Sequence, residues 1–238
     1  MLILKYLTWE LQIDLNGGRI MQLKKENKII LGSFDRIDGK VGNTHLCAPN
    51  FGIEGKELGL PFHGFARQAT WQVEYWVMGK TCISTILPKT LSYPSPLKLE
   101  QLFKLNEHFI HTVEITNIGD KQVPVNLGVH YYWDTPAGWK ETLINNKSIS
   151  ELIENNKIIK LFNKFEINFP KQKPLSIKQT GFYNAVFWTG FKEQGYKKIY
   201  DQKYCCIEPV IGIGDYFGSK KSLLSPRKSI KIEFAIQA

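Results

Sequence analysis

The sequence predicts an all-β protein, a large antiparallel sandwich with few or no helices. Three observations carry this. Apolar residues recur in short alternating segments, and turn signals split those segments at regular intervals. Helix-period patterns are nearly absent. A chain of 238 residues with 43% hydrophobic and 22% charged residues has the balance of a globular protein, and β-sandwiches of this length are ordinary single units. One domain spanning 1–238 is therefore expected.

Strands are expected over Leu2–Ile13, Arg19–Lys24, Lys28–Leu31, Thr70–Met78, Thr81–Leu87 and Lys98–Lys104. Further ones follow at Phe109–Asn117, Val123–Tyr132, Ala185–Gly190, Tyr204–Val210 and Ile230–Ile236. Asn16-Gly17-Gly18, Asp38-Gly39, Gly79-Lys80, Ile118-Gly119-Asp120 and Ser225-Pro226 mark turns between them. The stretch Ser148–Ile159 reads two ways: Ser148 with Glu151 resembles a capping box opening one short helix, and Asn155-Asn156 suits the turn of a hairpin.

Composition narrows the function. The net charge of +9 raises nucleic-acid binding. However, the only arginines are Arg19, Arg36, Arg67 and Arg227, and the lysines are scattered rather than clustered. Base readers depend on arginine for bidentate contacts, so no nucleic-acid partner is expected. No apolar run is long enough to cross a membrane as a helix. The first ten residues lack the h-region and cleavage site of a signal peptide, and a cytoplasmic location is expected. Cys47, Cys82, Cys205 and Cys206 lack metal or redox spacing. They read as small buried residues, and no structural metal is expected.

Three segments stand apart from the strand pattern. In Phe62-His63-Gly64-Phe65-Ala66-Arg67, a turn at Gly64 brings an imidazole and a guanidinium to one place, suited to hydroxyl or anionic groups. The alternative is a loop in which His63 bonds a carbonyl. In Val125–Trp133, alternation puts Asn126, Gly128, His130 and Tyr132 on one face, a polar and aromatic mixture of the kind that binds a sugar ring. A lone strand histidine is also often structural. Glu208 interrupts the apolar run Cys205–Val210. There it is either an edge residue facing water or a buried carboxylate with a raised pKa, usable as a general base.

Together these segments resemble the aldose 1-epimerase (galactose mutarotase-like) superfamily, and most closely its hexose-6-phosphate mutarotase-like branch. The matching pieces are His63-Gly-Phe-Ala-Arg67 with Trp71, the Asn-x-Gly-x-His-Tyr-Tyr stretch, and Cys206-Ile-Glu-Pro209. Gly17-Gly-Arg-Ile20, the Cys47–Gly52 loop and the turn after Leu224 keep the same order. The resemblance implies a galactose mutarotase-like supersandwich that interconverts the α and β anomers of a hexose or substituted hexose. It implies His130 as the acid toward the ring oxygen and Glu208 as the base at the anomeric hydroxyl. His63, Arg67, Tyr132 and Asn126 would bind the sugar, with no cofactor. The partner is a small sugar, with or without phosphate, and the state a monomer or homodimer. A non-catalytic carbohydrate-binding protein of the same fold is the alternative.

Two departures bear on the substrate. The phosphate-preferring branch carries an arginine where this chain has Val41-Gly-Asn-Thr-His45, with Lys40 beside it as a point charge. The family also tends to carry a sugar-binding aspartate between acid and base, and Lys140–Lys198 contains none.

Overall fold

The computed structural model describes residues 1–238 and is built from two nine-stranded antiparallel sheets packed face to face. The first runs in the order Leu2–Tyr6, Trp9–Asp14, Arg19–Lys25, Lys28–Leu31, Gly128–Asp134, Tyr204–Val210, Asn184–Trp188 and Ile159–Lys160. A short ninth strand, His45–Cys47, also pairs with Gly128–Asp134. The second sheet runs Lys147–Ser148, Leu143–Ile144, Lys164–Asn168, Leu175–Thr180, Ser229–Gln237, Phe109–Asn117, Leu97–Leu105, Lys80–Leu87 and Gln72–Val77.

Period-two alternation explains how the sheets meet. Leu97–Leu105 buries every second residue, and the opposite face carries Lys98, Glu100 and Lys104. The shared core is a cluster of 50 buried residues drawn from both sheets. Tyr131 and Trp133 point into it and meet Phe234 of the facing sheet, with ring centroids 4.6 and 6.3 Å apart. Inside, His111 bonds the Tyr131 hydroxyl at 2.9 Å and the Gln101 side-chain oxygen at 3.0 Å, so the polar atoms it buries are satisfied. All four cysteines are buried and unbridged, as composition suggests.

Several expected elements differ in detail. Leu2–Ile13 is not one strand but a tight hairpin pairing Tyr6 with Trp9, with Leu7 at φ +51°. That turn contains no Gly, Pro, Asn or Asp, so the usual signal is absent. The Ser148–Ile159 ambiguity resolves as a helix, Ile149–Glu154, although Ser148 caps it without a side-chain bond. An Asn-Asn hairpin turn does exist, at Asn145-Asn146 between Leu143–Ile144 and Lys147–Ser148, both at positive φ. Val123–Tyr132 is broken: Val123–Pro124 pairs with Leu223–Leu224, and the sheet strand begins only at Gly128. Lys164–Asn168 and Leu175–Thr180, rich in lysine and polar residues, carried too little apolar signal to be expected.

No helix is long and apolar enough to cross a membrane.

Candidate active site

Strand register assembles the site. His45 is the cross-strand partner of His130, and Val186 that of Glu208. Gly128 opposes Val210 and Tyr131 opposes Ile207; continuing that antiparallel register places His130 beside Glu208. One row across four neighbouring strands therefore reads His45, His130, Glu208, Val186. Cross-strand neighbours on one face stand about 4.5–5.5 Å apart at Cβ. This brings residues more than 160 positions apart in sequence into contact.

The row forms the floor of a cleft of about 520 Å³, within the range of small-molecule sites. Its walls include Arg19, Arg36, Lys40, Asn43, Phe62, His63, Arg67, Tyr132 and Trp188. Of the residues predicted from sequence, His130, Glu208, His63, Arg67 and Tyr132 all line it. Asn126 does not. It precedes the strand, so the alternation that carries His130 and Tyr132 to the cleft does not extend to it. Its amide instead donates to the Gly212 carbonyl at 2.9 Å and to Glu54 at 2.8 Å, and accepts from the Gly212 N–H at 3.1 Å. Asn126 holds a loop together. Gly128 makes room for Phe51: a Cβ there would meet the ring at 2.4 Å.

His130 Nε2 and Glu208 Oε1 lie 3.3 Å apart, with side chains 8% and 4% exposed. Burial disfavours charge on both. It raises the Glu208 carboxyl to about 8 and lowers the His130 imidazole well below its usual value, with His45, His63 and nearby guanidiniums adding in the same direction. At neutral pH the pair holds one proton between two atoms within reach of each other.

His63 sits in the left-handed region, at φ +63°, followed by Gly64 at φ +70°. Its backbone N–H donates to the Gly52 carbonyl at 2.9 Å, and the Gly52 N–H donates back to its Nδ1 at 3.0 Å. Because Nδ1 accepts, the neutral ring carries its proton on Nε2 and presents a donor. Burial holds this imidazole neutral, pulling it down to about 3. The ligating atoms of His63, His130 and Glu208 lie within 4.8 Å of one another, a spacing that suits a metal ion. Metal-bound histidines donate from the other ring nitrogen to an acceptor; His63 does the reverse, so this trio is arranged for hydrogen bonding.

Beyond Arg67 and Lys40, the cleft has a cationic wall that local sequence patterns do not reveal, formed with Arg19 and Arg36. The paired segments Phe34–Asp35 and Val41–Gly42 form a small hairpin, and its loop carries Arg36 and Lys40 to the cleft. The Arg36 guanidinium lies over Trp188 at 4.7 Å and pairs with Asp38 at 2.5 Å, while its Nε is buried with no partner in the protein. Arg19 donates to the Asn43 side-chain oxygen at 3.1 Å and to the Arg67 carbonyl at 2.9 Å. Arg67 reaches only the Phe62 carbonyl, at 2.9 Å. Neither Arg19 nor Arg67 is paired with a carboxylate. No aspartate lines the cleft; Val186 is the cross-strand neighbour of Glu208, and the Trp188 ring meets the His130 ring edge-on at 5.6 Å.

Comparisons with known proteins bear on the fold and the family. By shape, the chain is similar to a galactose mutarotase related enzyme from Lactobacillus acidophilus, with TM-score 0.81 and 16% identity, covering 99% of this chain and 96% of that one. It is similarly close to a galactose mutarotase-like protein from Lactobacillus casei, with TM-score 0.77, 14% identity and 99% of each chain covered. These likenesses show the fold. In sequence, 90 residues are 29% identical to the uncharacterized protein YihR of Escherichia coli, a match covering 33% of this chain and 29% of YihR. The family model described as aldose 1-epimerase matches residues 12–234, and the chain belongs to the aldose 1-epimerase family.

Proposed function

We propose that the protein is a mutarotase that interconverts the anomers of a hexose carrying an anionic substituent. The observation that supports the chemistry is the His130–Glu208 pair: two buried proton-transfer groups 3.3 Å apart on the floor of the cleft. Ring opening of a hemiacetal needs one group to take the anomeric hydroxyl proton and another to protonate the ring oxygen. Two groups sharing a single proton meet that need without net proton exchange with water. In the working assignment Glu208 is the base and His130 the acid. Guanidiniums nearby disfavour a second positive charge, so imidazolium forms only as the carboxylate forms beside it. The aldehyde then rotates about C1–C2 and closes on the opposite face, with the two roles reversed.

His63 Nε2–H points a donor into the same cleft, and Tyr132 supplies an aromatic wall. Arg19, Arg36, Lys40 and Arg67 support the finer reading of the substrate. Of these four cations only Arg36 is ion-paired, with Asp38, and charge-assisted hydrogen bonds from guanidinium suit phosphate, sulfate or carboxylate. Arg36 thus offers the positive charge that the Val41–His45 stretch lacks, from a different place in the chain. This supports the phosphate-preferring branch.

Exchange NMR with glucose, galactose and glucose 6-phosphate anomers tests both levels. Catalysed exchange of the phosphorylated sugar at a kcat/KM at least tenfold above the neutral ones is expected. Binding of these sugars with no acceleration of exchange supports a carbohydrate-binding protein instead, and a preference for neutral sugars rejects the anionic substituent.

A further inference from the structure

His45 plays no part in the proton chemistry and was not expected at the site, yet its environment is specific. Its side chain stands beside His130 in the cross-strand row, ring centroids 4.9 Å apart and planes 27° from parallel. The residue is 7% exposed and lines the cleft. Its Nδ1 lies 2.8 Å from the Asn43 carbonyl. A carbonyl only accepts, so Nδ1 carries the proton and Nε2 keeps a lone pair. Burial, with Arg67, Arg19 and Arg36 nearby, holds the ring neutral by pulling its pKa down to about 3. Nε2 is buried and has no hydrogen-bond partner in the protein. A buried acceptor without a donor is costly, and such atoms call for an explanation.

The neighbours supply it. Arg19, Arg36, Lys40, Arg67 and the Nε2–H of His63 are all donors. The Asn43 side-chain oxygen already accepts from Arg19. Outside the His130–Glu208 pair and the Tyr132 hydroxyl, His45 Nε2 is therefore the side-chain acceptor this cleft has free for a hydroxyl hydrogen. We propose that His45 is a specificity-determining residue whose Nε2 accepts a hydrogen bond from one ring hydroxyl of the bound sugar. His63 and His45 then form a matched donor and acceptor, each fixed in opposite tautomers by its own backbone contact. The anionic substituent belongs on the arginine side, because an anion facing the His45 lone pair would be repelled. This rests on the sugar-binding reading of the cleft.

A sugar lacking that hydroxyl leaves Nε2 unpaired in the complex, which costs about tenfold to hundredfold in selectivity. The test is a series of deoxy and deoxyfluoro analogues of the hexose turned over, each altered at one ring position, assayed with wild type, His45→Phe and His45→Gln. At one position the wild type is expected to lose about tenfold to hundredfold in kcat/KM. His45→Phe should show no loss there, whereas His45→Gln, which keeps an acceptor, should retain part of it. Equal position profiles in all three proteins overturn the proposal while leaving the mutarotase reading intact. Turnover of no sugar by the wild type overturns both. Independently of any variant, the ¹⁵N shifts of the free protein should show His45 protonated on Nδ1, and a proton on Nε2 overturns the proposal directly.

Discussion

Glu208 and His130 share a problem set by burial: neither is comfortable charged, so one proton serves both. Deprotonating the pair removes the acid, and the raised Glu208 value of about 8 places that loss. With a substrate that does not titrate nearby, kcat/KM should hold across neutral pH and fall above about pH 8; a profile flat to pH 10 contradicts the shared proton. The unpaired Arg67 makes a second prediction. Arg67→Ala should raise KM for an anionic hexose about tenfold to hundredfold and change that for a neutral hexose far less, with Arg67→Lys intermediate. Equal effects on both sugars would assign Arg67 to loop structure through its bond to the Phe62 carbonyl. Much of this was legible in sequence. His63, Arg67, His130 and Glu208 sit in short local patterns whose residue types suggest their chemistry. His45 and Arg36 do not, because His45 reaches the site through pairing with a distant strand and Arg36 through the fold of a small hairpin. Asn126 misled because alternation was extended past the point where the strand begins.

The loop holding His63 is an element whose shape depends on one residue. Gly64 adopts φ +70°, and a Cβ there would lie 2.0 Å from the Ala48 carbonyl oxygen. Gly64→Ala must displace either its own turn or the Cys47–Gly52 loop that bonds His63. It should cost more than about 2 kcal/mol in stability and lower activity further by shifting His63; urea melts and turnover together check this, and an unchanged protein contradicts the close approach. The hairpins of the second sheet were read well where alternation was clean, as in Phe109–Asn117 paired with Leu97–Leu105. Elements failed to show in sequence for two reasons. The Leu7-Thr8 turn uses a left-handed leucine that no composition rule flags, and Lys164–Asn168 and Leu175–Thr180 expose lysines and polar residues on one face, which dilutes their apolar signal.

Across the whole molecule, the buried histidines set the response to acid. His45, His63 and His111 are each pulled down to about 3 by burial. Each depressed pKa contributes stability above the unfolded value near 6.5 that is lost as pH falls toward 3. Going from pH 7 to pH 5 costs about 2 kcal/mol per histidine. Glu208 acts oppositely: its raised pKa makes stability fall as pH rises from 4.5 to about 8, so the same drop in pH returns roughly 2–3 kcal/mol. His130 is depressed in the same direction, so four histidines oppose Glu208 and a net loss of about 5 kcal/mol is expected in urea melts, a large share of a typical domain's stability. In Glu208→Gln the loss should be deeper because the opposing contribution is gone. Equal stability at the two pH values contradicts the neutral buried histidines. The sandwich itself was visible in the sequence from strand count and turn spacing; the cationic character of one cleft was not, because it arises only when Arg19, Arg36, Lys40 and Arg67 converge.

The proposed function requires His130 and Glu208 to exchange protons with a hemiacetal. Saturation-transfer NMR of the α and β anomeric protons of a phosphorylated hexose, recorded with wild type, His130→Ala and Glu208→Gln, tests it most directly. Enzyme-dependent exchange is expected in the wild type and a loss of about 10²–10⁴-fold in each variant, with both variants still folded by circular dichroism. Exchange at equal rates in all three proteins contradicts it.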